Sequence, residues 1–221
     1  TVGNPGLDVL DIPTVAAIAH EAGIPLLVDS TFTTPWLLKP FEHGADLVYH
    51  SATKFLSGHG TVIGGVVVDS GTFDWEGSGR FPEMTAPYEG FHNMVFSEES
   101  TVGAFLLRAR REGLRDFGAC MSPHTAWLIL QGIETLPLRM QQHMRNTEKV
   151  VEFLAAQHFV ARVGHPMLAS HGSHALAQKL LPRGAGSVFS FDLKGNREQG
   201  KKFIETLKVF SHLANVGDCR S

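Results

Sequence analysis

Apolar and polar positions fall into blocks along this chain, and the period of the blocks switches between helical and strand-like. Between Asp11 and Ala22 the apolar residues Ile12, Val15, Ala16 and Ala19 recur at i, i+3, i+4 and i+7, which predicts an amphipathic helix. Pro13 falls in its first turn, where a missing N–H costs nothing, and Gly23 suits the left-handed position that closes it. Ile24 to Val28 is a short continuous apolar run ending at Asp29, and it reads as a buried parallel strand, apolar on both faces. A short helical segment from Trp36 to His43 leads through Gly44-Ala45-Asp46 to a second strand, Leu47 to His50. Val62 to Val68 makes a third, interrupted by Gly64-Gly65. Segment 72–100 is aromatic- and Gly-rich with little periodicity, the pattern of an ordered surface loop.

Thr101 to Glu112 and Pro123 to Gln131 read as helices, followed by a longer one from Leu138 to Ala156. Phe159 to Val163, Ser187 to Leu193 and Val209 to Leu213 read as strands, with a helix over Gln199 to Leu207 between the last two. Helix and strand alternate with short connections, which predicts an α/β fold with a mostly parallel sheet. The run from Arg145 onward has the pattern of a separate small α+β domain. In parallel sheets ligands bind outside the carboxyl ends of the strands. Asp29 and the loop Ser51-Ala52-Thr53-Lys54 both stand at such ends.

Composition narrows the class. The hydrophobic fraction of 43% and charged fraction of 19% over 221 residues are those of an ordinary globular protein. A net charge of −3 offers no electrostatic case for nucleic acid or an anionic membrane. No apolar stretch approaches the roughly 20 residues of a membrane span. The first residues lack the basic and apolar regions of a signal peptide. Cys120 and Cys219 lie far apart, so a disulfide framework is not expected and a reducing cytoplasm is the default. The chain has no initiator Met and ends at Cys219-Arg220-Ser221 without a closing element, so it reads as a fragment. Among twelve histidines, His165, His171 and His174 cluster, but in a Gly- and Pro-containing stretch without a helical pair or nearby Cys; a solvated loop, not a metal site, is expected.

The chemistry-bearing constellation is Asp29 followed by Lys54, each just past a predicted strand. A carboxylate there can pair with a protonated pyridine nitrogen, and a lysine at the neighbouring end can form an imine. Ser51 and Thr53 bring hydroxyl donors suited to phosphate oxygens, and Gly58, Gly60, Gly64 and Gly65 let the backbone pass close to a ligand. Taken singly, an aspartate at a strand end is more often a helix cap, and a Ser-x-Thr-Lys loop more often solvated. Their conjunction at adjacent strand ends favours a cofactor site.

Val28-Asp29-Ser30-Thr31-Phe32-Thr33-Thr34-Pro35 and Tyr49-His50-Ser51-Ala52-Thr53-Lys54-Phe55-Leu56-Ser57-Gly58-His59 resemble the signature of the Cys/Met-metabolism family of pyridoxal-phosphate (PLP) enzymes, with Gly3-Asn4-Pro5 matching an upstream Asn-Pro element. Phe117 to Pro123, Gly132 to Met140 and Phe210 to Asp218 are most similar to its O-acetylhomoserine sulfhydrylase branch. The resemblance implies an aspartate-aminotransferase-like fold (PLP fold type I) with helices on both faces of the sheet. Residues 1–138 would be the remainder of a large cofactor-binding domain and 139–221 the start of a smaller α+β domain.

The cofactor so implied is pyridoxal 5′-phosphate. Lys54 would be the Schiff-base lysine and would move protons at the substrate Cα and Cβ; Asp29 would pair with the pyridinium nitrogen. Ser51 and Thr53 would bind the phosphate, and Thr31 would support the ring or phosphate side. Asn4 would lie near the ring hydroxyl and the substrate carboxylate. Asn215, where many relatives carry Ser, would lie next to that carboxylate. The implied reaction is γ-replacement on O-acetyl-L-homoserine by sulfide or a thiol, giving homocysteine or methionine and acetate, in a cytoplasmic homodimer or homotetramer. Methionine γ-lyase and cystathionine γ-synthase or γ-lyase chemistry are the alternatives within the family, and a non-catalytic folded module the alternative outside it. The family's stacking tyrosine, upstream phosphate-binding amides and downstream carboxylate-binding arginine fall outside this sequence, and some of its cofactor contacts come from a neighbouring subunit.

Overall fold

The structure, a computed structural model, describes residues 1–100 and 103–219. Helix α1 (Ile12–Glu21) starts where expected: the Asp11 carboxylate caps it, accepting from Thr14 N at 3.3 Å and Thr14 Oγ1 at 2.9 Å. Its end is a Schellman turn, with Gly23 N donating to His20 O and Ile24 N to Ala19 O, both at 2.9 Å, and Gly23 at φ +67°. The chain then enters β1 (Leu27–Asp29), three residues shorter at its start than the apolar run suggests. Leu27 is 54% exposed because β1 has a neighbour on one side only among the described residues.

Helix α2 (Thr34–Leu37) and a 3₁₀ turn (Pro40–His43) stand where one short helix is expected. They lead into β2 (Leu47–Ser51), parallel to β1, with Leu27, Val28 and Asp29 opposite Leu47, Val48 and Tyr49. Buried Asp46 ties this pair to α1: its Oδ2 accepts from Leu26 N at 2.7 Å and lies 2.8 Å from His20 Nε2. A helical turn (Ala52–Leu56) carries the chain to β3 (Gly65–Asp69). This third strand runs antiparallel to β2. The three strands, in the order β1-β2-β3, therefore form a mixed sheet where the sequence pattern predicts parallel pairing. The connection from β2 to β3, residues 52–64, is one helical turn and a glycine-containing loop that returns the chain antiparallel beside β2.

Segment 72–100 carries short helices, α3 (Trp75–Ser78), α4 (Pro82–Thr85) and α5 (Phe96–Glu99), around its own core of Trp75, Met84, Phe96 and Ala104. Thr101 and Val102, the expected start of the next helix, lie outside the described residues; α6 (Ala104–Arg108) continues as a wider helical segment (Ala109–Asp116). Helices α7 (Pro123–Glu134) and α8 (Leu136–Ala155) follow, α7 against the Ala52–Leu56 turn and α8 against α2. The expected boundary at 138/139 falls inside α8. Its first half places Leu136 and Met140 in the main core, and its second half places Val151 and Leu154 in a cluster with β4 (Val160–Gly164).

Helix α9 (His174–Leu180) has no counterpart among the expected elements, and it returns Ala177 and Leu180 to the main core. β5 (Ser190–Leu193) pairs antiparallel with β4, and α10 (Arg197–Thr206) opens with an Asn196–Gln199 capping box. Val209 to Leu213 is not a strand. No described neighbour offers it a ladder, and Val209, Phe210 and Leu213 stay exposed. Among the described residues no helix is long and apolar enough to cross a membrane.

Candidate active site

The pairing of β1 with β2 builds the site. Asp29 lies opposite Tyr49, so Ser51, two residues on, shares the face that Asp29 and Tyr49 occupy. Thr31 locks the two strand ends together: its Oγ1 accepts from Ser51 N at 2.8 Å, and its own N donates to Asp29 Oδ1 at 2.8 Å. The chain after Asp29 is held from below. His50, 5% exposed, donates from Nδ1 to Ser30 O at 3.1 Å, and the Ser30 and Thr33 hydroxyls meet at 2.7 Å.

Lys54 sits in the middle of the Ala52–Leu56 turn but leaves helical geometry, at φ −91° and ψ −124°. Its carbonyl accepts from Gly58 N at 2.9 Å, and its Nζ donates to Asn215 Oδ1. Asn215 Nδ2 in turn donates to Asp218. Phe55 is 1% exposed, edge-on to Phe32 and to His143, and anchors the turn in the core.

A cavity of about 720 Å³ opens over these strand ends, lined by Asp29, Thr31, Tyr49, Ser51 and Lys54 together with Asn4, Asp8 and Asp11. Its size is that of a cofactor or substrate pocket. Of the residues expected from sequence, the structure brings Lys54, Asp29, Ser51, Thr31 and Asn4 to one wall or rim. Thr53 is placed otherwise. Its hydroxyl accepts from Gly64 N at 3.0 Å and donates to Gly64 O at 3.3 Å, fastening the turn to the strand that follows. Asn215 meets the lysine amine directly, and it also lines a second cavity of about 560 Å³ with His143 and Asp218. Tyr49 on the wall, and Arg139 and His143 behind the turn, have no counterpart in the sequence reading. Only spatial neighbourhood marks them.

The donor set suits PLP. An exposed carboxylate can take a pyridine N–H, Ser51 lines the cavity with a hydroxyl suited to phosphate, and a primary amine lines it too. Among the described residues no three His, Cys, Asp or Glu side chains converge as a metal group. The histidines once expected in a solvated loop serve the backbone instead. His165 is buried and donates from Nε2 to Gly186 O at 3.1 Å, and His174 donates from Nδ1 to Pro166 O at 3.1 Å.

Burial pushes the pKa of His50 and of His165 below the usual histidine range, against the upward pull of the Ser30 and Gly186 carbonyls. Both bind a proton more readily unfolded than folded. The stability they contribute is present above about pH 6.5 and is lost as pH falls, each at no more than about 1.4 kcal/mol per pH unit. Thermal melts are expected to move down between pH 7.5 and 5.5, and less so in His165→Gln. Equal acid sensitivity in that variant would contradict the assignment.

The whole chain, residues 1–221, matches the family model described as Cys/Met metabolism PLP-dependent enzyme. It is 47% identical to the O-acetyl-L-homoserine sulfhydrylase of Leptospira meyeri and 47% identical to the homocysteine synthase of Schizosaccharomyces pombe, over 100% of this chain and 52% of each of those proteins. The chain thus spans about half the length of the curated relatives it matches. Among solved structures it superposes with a TM-score of 0.94 and 33% identity on a Campylobacter jejuni protein described as an O-acetylhomoserine (thiol)-lyase bearing a pyridoxyl-lysine-5′-monophosphate, covering 99% of this chain and 54% of that one. A Xanthomonas oryzae cystathionine γ-synthase, in complex with aminoacrylate and cysteine, matches with a TM-score of 0.79 and 31% identity over 99% of this chain and 48% of that one. With a lysine, a carboxylate and a hydroxyl converging on one cavity and this likeness running end to end, the chain belongs to the Cys/Met-metabolism family of PLP-dependent enzymes.

Proposed function

We propose that the full-length protein replaces the acetate of O-acetyl-L-homoserine with sulfide or a thiol, giving L-homocysteine or methionine. The observation that carries this reading is the meeting of Asp29, Ser51 and Lys54 at two adjacent strand ends. The sulfhydrylase and homocysteine synthase relatives, each 47% identical, support the choice of substrate. When bound, PLP supplies an electron sink that eases loss of the proton from the carbon bearing the substrate amine.

The chain's own residues do the rest. Lys54 would attach the cofactor, and its freed Nζ would take the Cα proton and move protons at Cβ. Asp29 would hold the pyridine nitrogen in its protonated form, a charge-assisted contact contributing roughly 1.5–3 kcal/mol. Ser51 would donate to the phosphate. Thr53 would serve the same phosphate by turning its hydroxyl from Gly64 O to a phosphate oxygen, and Thr31 keeps the two strand ends in register. Asn4 at the rim and Asn215 beside the lysine orient the substrate carboxylate.

The working form is a cytoplasmic homodimer or homotetramer. Its support is the exposed apolar row Trp127, Leu130 and Leu138 along α7 and the start of α8. Supplying O-acetylhomoserine and sulfide to the full-length holoenzyme is expected to yield homocysteine and acetate. Ammonia and an α-keto acid as the only products would replace this reading with a γ-lyase; turnover only with cysteine in place of sulfide would replace it with a cystathionine synthase.

A further inference from the structure

Arg139, in the first turns of α8, reaches back over the end of α7 to the turn that carries Lys54. Nη1 donates to Phe55 O at 2.8 Å, and Nη2 donates to Gly132 O at 2.7 Å and to Leu56 O at 3.4 Å. Nε donates to Thr135 Oγ1 at 3.1 Å, which fixes the plane of the fork. Phe55 and Leu56 are the two residues after the lysine, and Gly132 is in the last turn of α7. Gly132 O also accepts from Thr135 N at 3.3 Å and from Thr135 Oγ1 at 3.2 Å, and a planar cation with a rigid set of donors can bond several carbonyls at once.

Two glycines make room for this arrangement. A Cβ on Gly58, which sits at φ +68°, would lie 2.4 Å from Arg139 Nη1, and a Cβ on Gly132 would lie 2.1 Å from Ser57 O. Neither position tolerates a side chain while the guanidinium and α7 stay where they are. Phe55 and Leu56 follow Lys54 in the same turn, so a shift of their carbonyls carries the Lys54 backbone with it.

We infer that Arg139 is a positioning residue for Lys54: by holding the carbonyls of Phe55 and Leu56 it sets the direction in which the amine meets cofactor and substrate. The inference rests on the reading of Lys54 as the cofactor lysine. Displacement of a reacting group by about 1 Å costs on the order of a hundredfold in rate. Lysine cannot replace arginine here, because a single ammonium does not span three carbonyls.

The test uses the full-length holoenzyme with Arg139→Lys, reading kcat, KM, thermal midpoint and the pH midpoint of the cofactor's visible absorbance. The expected result is a kcat lower by about 10- to 100-fold with KM within about threefold. The absorbance midpoint should move by at least about half a pH unit, because the amine's surroundings change. Should that variant fail to fold, Thr135→Val keeps the guanidinium, removes its Nε anchor and the Thr135 Oγ1 bond to Gly132 O, and is expected to lower kcat by roughly 3- to 10-fold with a midpoint shift in the same direction. A lower thermal midpoint with unchanged kcat and absorbance midpoint, in either variant, would mean that Arg139 is a structural clamp alone and would overturn the inference. Cyanoborohydride reduction of the unaltered protein separates the two readings. If Lys54 carries no pyridoxyl adduct, the cofactor assignment itself fails and the inference with it; an adduct on Lys54 with an unshifted Arg139→Lys midpoint removes only the role of Arg139.

Discussion

Replacing Lys54 by alanine in the full-length protein is expected to lower turnover by at least about 10³-fold and to abolish the reducible pyridoxyl adduct at this position. Under the proposed function the loss combines two roles in one amine. Attachment would hold the cofactor at Asp29 and Ser51, and proton transfer at the substrate carbons needs a base within hydrogen-bond reach. Among the described residues no other lysine stands on the cavity wall to take over either role. Asp29→Ala removes one electrostatic contact and leaves the amine, so its expected loss is smaller, about a hundredfold for roughly 3 kcal/mol of transition-state stabilisation. Steady-state kinetics on both variants, with peptide mapping after borohydride reduction, checks the order. An adduct that persists on another residue at full turnover in Lys54→Ala would remove the lysine from the mechanism.

Phe55→Ala is expected to destabilise the protein by about 3–5 kcal/mol, the usual cost of truncating a fully buried phenyl ring. Phe55 is 1% exposed and edge-on to Phe32, which follows β1, and to His143 of α8. Gly217 closes the other side, where an added Cβ would fall 2.8 Å from the ring. The truncation therefore opens a void where four segments meet, directly beneath the lysine. Denaturant titration of the full-length apoprotein measures the stability change, and the cofactor dissociation constant should rise alongside it. A loss below about 1 kcal/mol would show that the site collapses around the void, because residual cavity volume sets the cost. Phe55→Leu keeps most of the volume and should fall between the two.

Local chemistry made much of this molecule legible. Asp11, Pro13 and Gly23 bracket α1, and each does what its covalent structure dictates: a carboxylate caps, a ring tolerates the first turn, and a residue without Cβ takes the positive φ. Asp29 and Ser51 were legible as strand ends because β1 and β2 carry continuous apolar runs. The direction of β3 was not, since Val66 to Val68 reads the same in either orientation and the connection before it is long enough for both. Val209 to Leu213 has the composition of a strand but no described neighbour to complete a ladder. The role of Arg139 was illegible for another reason. Its partners are backbone carbonyls, which every residue possesses, so no side-chain pattern announces the contact.

By resemblance Asn215 belongs beside the substrate carboxylate, and the structure sets its amide on the lysine, 161 residues away in sequence. Cys219 N, donating to Gly58 O at 3.1 Å, fastens the same downstream segment to the end of the lysine turn. This gives the amine's surroundings a very high contact order. On a chain emerging from the ribosome, β1, β2 and the lysine turn can form early from nearby residues, but the partner of Nζ is synthesised some 160 residues later. The closure of such a long loop carries its entropic cost late in folding. The environment of Lys54 is thus complete only after residue 215 has been made, and a chain stalled before it would present the same lysine, on the same turn, in a different chemical setting.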